Sequence, residues 1–199
     1  MKKIYLELYN QKFIYRCNFP YYNQLLIIMY KDIITKEKIP GIYILMNNRN
    51  ELSYNMIFEE VINLITFNRL LDLEIETIVT DSERALMNAV KTFFPKAQRV
   101  ACYFHFKEDI LRNLRVYGLY KEEDKVESKK VLKLLSTIPY IYNRNIYKFD
   151  YILNEIKKQF SRYSNFIDNY FLKTKKELFI DNSLNYQIIP EDCRNNNLL

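Results

Sequence analysis

A mixed α/β domain is the fold class that this 199-residue sequence predicts, on three observations. Short runs rich in β-branched and aromatic residues, cut by turn signals, fill the first quarter of the chain. From Glu51 onward, helix-period segments alternate with two brief strand-like runs, the order expected of helices packed on a sheet. Beyond Tyr120 glycine is absent, and apolar residues recur at helical spacing among clustered charges, which predicts helices laid beside the sheet.

The strand-like runs are residues 4–9, 12–18, 24–30 and 41–46. Asn10-Gln11, Asn18-Phe19-Pro20 and Pro40-Gly41 separate them as turn signals. Links this short join antiparallel neighbours, because a parallel return needs about a dozen residues or more. A helix follows in which Tyr54, Ile57, Phe58, Val61, Ile62 and Ile65 share one face, opposite Glu59, Glu60 and Asn63. Residues 76–80 then read as a strand ending at Asp81. Thr80-Asp81-Ser82-Glu83 has the spacing of a capping box, in which Thr80 or Ser82 caps and a Glu reaches back. Leu86, Ala89, Val90 and Phe93 line the next helix, which Pro95 stops. Residues 99–104 read as a strand, and Phe106, Ile110 and Leu114 space a further helix closed by Gly118. In the carboxy-terminal part, Val131, Leu134, Leu135 and Ile138 form one apolar set, and Ile152, Ile156 and Phe160 another. Three antiparallel strands followed by helix, strand, helix, strand and helix is the element order of the ribonuclease H-like fold, with the fourth amino-terminal run an edge continuation or an extended lead into the first helix. The expected division is a sheet core over residues 1–119 and a helical insertion with a carboxy-terminal segment over 120–199.

Composition narrows the function classes. With 30 Lys and Arg against 24 Asp and Glu the net charge is +6, so a polyanion is a natural partner, although an inert basic surface satisfies the same count. Cys17, Cys102 and Cys193 are odd in number and far apart, which speaks against a disulfide scaffold and for a reducing, intracellular setting. No apolar run approaches the ~20 residues that a membrane span requires, and Leu25–Tyr30 stops at Lys31.

Two positions stand where chemistry could be carried. An open α/β sheet places its ligands at the carboxyl ends of its strands, and Asp81 falls at such an end. Aspartate there either caps the following helix or offers a hard oxygen ligand to Mg²⁺ or Mn²⁺. One carboxylate does not make such a site, since a two-metal centre gathers about three acidic groups around ions ~3.5–4 Å apart. Cys102 and His105, the only histidine, open the next helix. Both side chains suit zinc, but two ligands fall short of the four a structural site takes. The alternative is a buried cysteine with a hydrogen-bonded histidine.

The run Thr80–Phe106 resembles the core of the Mutator-like element (MULE) transposase family: a strand ending in Thr-Asp, a helix closing with Phe94-Pro95-Lys96-Ala97, and Cys102-x-x-His105 leading into a helix. Tyr22-Asn-Gln-Leu-Leu-Ile-Ile28, Ile42-Tyr-Ile-Leu-Met-Asn47 and Glu51-Leu-Ser-Tyr54 resemble the family's upstream segments, and the likeness covers residues 9–118. It implies a DDE-type recombinase on a ribonuclease H-like fold, cutting and joining DNA with Mg²⁺ or Mn²⁺ held by two Asp and one Glu. Asp81 matches the second acid, and Cys102 and His105 match the family's C-x-x-H. Asn10 stands where the first Asp is expected, with Phe13 aligned behind it, and an amide carbonyl lacks the charge that offsets the ion. The third acid is expected after a segment like Asn195-Asn-Asn197, where the sequence ends, so the resemblance implies a degenerate or truncated copy. The alternative is a non-catalytic nucleic-acid-binding or interaction protein derived from a transposase. In either case DNA is the implied partner, in the nucleus, with self-association allowed, and Lys129, Lys130, Lys157 and Lys158 are the expected phosphate-contacting residues.

Overall fold

The structure, a computed structural model, describes residues 3–9, 21–32, 34–35, 37–67, 75–81, 83–121, 125–140, 146–179 and 186–188. It is a mixed α/β protein that divides into two compact units, Met1–Val100 and Ala101–Leu199. The expected strand over residues 12–18 and the turns at Asn10-Gln11 and Asn18–Pro20 lie outside the described residues.

In the first unit, β1 (Lys3–Tyr9), β2 (Gln24–Lys31), β3 (Lys38–Met46), β4 (Thr77–Thr80) and β5 (Gln98–Ala101) lie in the order β3-β2-β1-β4-β5. β1 pairs antiparallel with β2, from Ile4↔Tyr30 to Tyr9↔Leu25, and parallel with β4, from Lys3↔Thr77 to Leu6↔Thr80. The Gln98 amide donates to the Glu76 carbonyl at 2.8 Å beside β4. Interior position explains composition: all four residues of β4 are buried, as are Leu25, Leu26, Ile27 and Ile28 of β2. A strand covered on both faces reads as a continuous apolar run rather than an alternation.

Pro40-Gly41 is not the expected turn. Both residues lie within β3, and the turn sits earlier, where the Asp32 amide donates to the Glu37 carbonyl and Asp32 Oδ1 accepts from the amides of Ile34 and Thr35. Pro40 is tolerated because β3 ends the strand order, and an edge strand can spare a ladder donor. The register steps from Ile28↔Ile42 to Met29↔Pro40, so Gly41 is the extra residue of a β-bulge.

α1 (Glu51–Phe67) starts at Asn50, whose Oδ1 accepts from the Ser53 amide at 2.8 Å. It buries Tyr54, Phe58 and Val61, the centre of the expected stripe, and leaves Glu59, Glu60 and Asn63 exposed. α2 (Arg84–Phe93) buries Leu86, Met87, Ala89 and Val90, and Pro95 follows its end. Phe58 joins the two helices by meeting Phe93 at 6.1 Å and Phe94 edge-on at 5.4 Å.

In the second unit, α3 (Tyr103–Val116) buries Phe106, Ile110 and Leu114. The strand expected over 99–104 therefore ends early, because Tyr103 stacks over Phe106 one turn later and so belongs to the helical stripe. Gly118 closes α3 at φ 68°, donating to the Arg115 carbonyl at 3.0 Å, while the Leu119 amide donates to the Leu114 carbonyl at 2.8 Å. These two bonds form a Schellman motif, with Leu114 and Leu119 both buried as its apolar contact. α4 (Lys125–Thr137) buries Val131 and Leu135, with Leu134 on the rim. α5 (Ile146–Gln159) buries Phe149, Leu153 and Ile156, so its core face is rotated from the expected set of Ile152, Ile156 and Phe160. Ser164–Phe166 continues through a π-turn, Ile167–Phe171, into α6 (Leu172–Phe179), and β6 (Tyr186–Ile188) follows.

Asp109 of α3 ties this unit together. Its carboxylate accepts from Tyr170 Oη at 2.9 Å and from Lys175 Nζ, and Arg112 adds an i,i+3 pair. Burial alone would push the Asp109 carboxyl up, but Lys175, Tyr170 and Arg112 together outweigh it and hold it below its ordinary range.

Candidate functional site

The first unit builds a polar site at the carboxyl end of β4. Asp81 follows four buried residues and is itself half-buried. Leu6 is the β1 partner of Thr80 in the last pair between these strands, and Glu7 and Asp81 are the residues that follow on each. Asn10 lies three residues beyond Glu7 and outside the described residues. Strand register cannot be read from composition, which is why motif alignment points to Asn10 and the sheet points to Glu7.

The capping box does not form as expected. Thr80 ends β4, with its buried hydroxyl finding no hydrogen-bond partner among the described residues, and Ser82 is not described. Glu83 is the N-cap of α2, with no side-chain cap bond. Its carboxylate instead turns to α1: Tyr54 Oη donates to Oε1 at 3.1 Å, and Arg49 Nη1 lies 3.9 Å from Oε2. Alongside, Asn88 Nδ2 donates to Glu51 Oε2 at 2.8 Å, a second tie between the two helices.

Burial is the largest influence pushing the Glu83 carboxyl above its ordinary range. Asp81 adds to it, against the opposing pull of Arg49 and Tyr54. Tyr54 is raised as well, first by burial and then by the charge of Glu83. No sequence motif signals the Tyr54–Glu83 bond, whose partners are 29 residues apart.

The implied Mg²⁺ or Mn²⁺ needs about three converging acidic groups. Among the described residues, no group of three His, Cys, Asp or Glu side chains could hold a metal ion. Glu83, a described carboxylate within reach of the Asp81 charge, already faces Tyr54 and Arg49. The described side chains thus do not fit a complete divalent-metal centre.

In the second unit Cys102 is the buried N-cap of α3, and its carbonyl accepts the Phe106 amide at 3.0 Å. His105 is half-buried one turn into the helix, its ring meeting Phe104 edge-on at 5.6 Å. Of the four expected phosphate-contacting lysines, Lys157 pairs with Asp168 at 3.0 Å and Lys158 with Glu155 at 3.4 Å, whereas Lys129 and Lys130 stand exposed on α4. Among the described residues, no helix is long and apolar enough to cross a membrane.

A mixed sheet with an acidic residue just past its fourth strand defines an α/β domain whose chemistry belongs at that strand end. The family model of the MULE transposase domain matches residues 14–109, which include Asp81, Cys102 and His105. Over that segment the chain is similar to the MULE transposase domain. The match begins after Glu7 and Asn10. No curated protein matches the chain.

Proposed function

We propose that this protein is a transposase-derived domain that binds DNA on a ribonuclease H-like fold and whose strand-cutting centre is degenerate at the first acid position. The observation that carries the reading is the match to the MULE transposase domain over residues 14–109, with Asp81 at the carboxyl end of β4. The strand order β3-β2-β1-β4-β5, antiparallel across β1 to β3 and parallel from β1 to β4, supports the fold assignment. Residues 1–119 form the transposase core in this reading, and 120–199 the helical addition.

Loss of cutting is supported by Asn10 at the first acid position and by Glu83, whose carboxylate is engaged by Tyr54 and Arg49. Asp81 matches the family's second carboxylate, and it would ligate Mg²⁺ or Mn²⁺ if one bound. Such an ion would supply Lewis-acid activation of water or a 3′-hydroxyl.

That Glu7 and Asp81 follow the last β1–β4 pair on their two segments favours a second reading, in which Glu7 takes the place of the first acid and cutting survives. Mn²⁺-dependent nicking of an end-labelled duplex separates the two. The first reading expects intact DNA. Nicks abolished by Asp81→Ala and by Glu7→Gln, but unaffected by Asn10→Ala, would replace it with the second.

A further inference from the structure

α3 and α4 enclose a groove of about 520 Å³ in the second unit. Its floor is apolar: the Tyr103 ring, fixed by a 3.0 Å hydrogen bond from its hydroxyl to the Ser136 carbonyl, and Leu132 beside it. Lys107 of α3 stands on one wall, its Nζ 5.6 Å from the Tyr103 ring centre. Lys129 and Lys133 of α4 stand on the other, one helical turn and ~6 Å of rise apart. All three lysines are exposed, none is paired with a carboxylate among the described residues, and no acidic residue lines the groove.

We propose that this groove is a contact site for the DNA backbone, a proposal that rests on the DNA-binding reading above. Three cations around an apolar floor complement a chain in which anionic phosphates alternate with apolar sugars. Lysine ammoniums hold phosphates as point charges, and an acidic peptide is the alternative that the test below separates. Without Arg, Asn or Gln on its walls the site lacks the usual base-reading side chains, so it tracks phosphates without reading sequence. Tyr103 lies between Phe106 and the Lys107 ammonium, which makes its ring a floor rather than a stacking platform for bases. The sequence singled out Lys129 as an expected phosphate contact. It did not single out Lys107 and Lys133, because only the packing of α3 against α4 brings them to Lys129.

The test is fluorescence anisotropy of a labelled duplex against the full chain across about 50 to 200 mM salt. Lys107→Ala, Lys129→Ala and Lys133→Ala combined should make the slope of log K against log salt shallower by about 2.7, from ~0.9 per phosphate contact. The affinity gap between wild type and variant then narrows by about 40-fold over that salt range. These exposed helical positions tolerate alanine, and circular dichroism checks that the variant is folded. Lys96→Ala, Lys121→Ala and Lys173→Ala combined remove the same charge at exposed positions elsewhere and should move the slope by less than a third as much. An unchanged groove variant, or an equal loss in the control, overturns the site while leaving DNA binding intact. A groove variant that loses binding to a polyglutamate peptide but keeps duplex binding also overturns it, in favour of an acidic peptide. Wild-type protein that shows no salt-sensitive duplex binding overturns the functional reading and this site together.

Discussion

Replacing Tyr54 by Phe removes one oxygen from a fully buried ring and leaves its packing in place, so its effect isolates the hydrogen bond to Glu83. A hydrogen bond to a charged group contributes roughly 1.5–3 kcal/mol. The Glu83 side chain keeps 19% of its exposure and the neighbouring Arg49, so water and the guanidinium partly replace the lost donor, and the lower end, about 1.5 kcal/mol, applies. The sign with pH follows from the raised folded pKa of Glu83. Its stabilising contribution is complete below its ordinary value of 4.5 and is lost as pH rises through the folded value. Tyr54 opposes that rise by favouring the ionised form, so Tyr54→Phe pushes Glu83 higher still and enlarges the loss. Urea unfolding should therefore give a destabilisation of about 0.5 kcal/mol near pH 4 and about 1.5 kcal/mol near pH 7.5, at unchanged m-value. Equal destabilisation at both pH values, or none near neutrality, would refute the claim that Glu83 is a desolvated carboxylate held by this ring.

Asp81→Asn removes a charge that raises Glu83, and carbon-detected NMR titration should find the Glu83 carboxyl shifted down toward its ordinary value. Lys175→Met strips the ammonium from Asp109. Breaking a buried pair costs about 3–5 kcal/mol, reduced here to about 2 because Asp109 is 20% exposed and keeps Tyr170 and Arg112. Since Asp109 is depressed in the fold, its contribution is present above its ordinary value of 3.8 and lost as pH falls through the folded value. Lys175→Met should flatten that acid limb in urea unfolding, and adding Asp109→Asn should recover part of the stability. Gly118→Ala forces a side chain onto a φ of 68° and should cost at least about 1 kcal/mol by the same measurement.

Local patterns were legible where one element's own burial decides them. Tyr54, Phe58 and Val61 showed α1, Gly118 showed the end of α3, and Asp81 showed a strand end, because each depends on neighbours within a few residues. Tertiary context decided the rest. Pro40 reads as a turn until β3 proves to be an edge strand, where the missing amide is harmless. The face of α5 depends on what packs against it, and the π-turn at Ile167–Phe171 inserts a residue that breaks the helical period. Nothing in the neighbouring residues singles out Lys175, yet it turns inward to Asp109 across 66 residues. At the candidate site, the placement of Glu7 against Asp81 rests on strand register, and the Tyr54–Glu83 bond rests on how α1 lies on α2.

The central claim, a transposase-derived domain that grips DNA without cutting it, meets its most direct test in one reaction. The full chain is incubated with an end-labelled duplex and Mn²⁺, and each sample is read on both a native and a denaturing gel. The account predicts a shifted band on the first, weakening with salt, and an unbroken strand on the second. No shift, or nicks that vanish with Asp81→Ala, would contradict it.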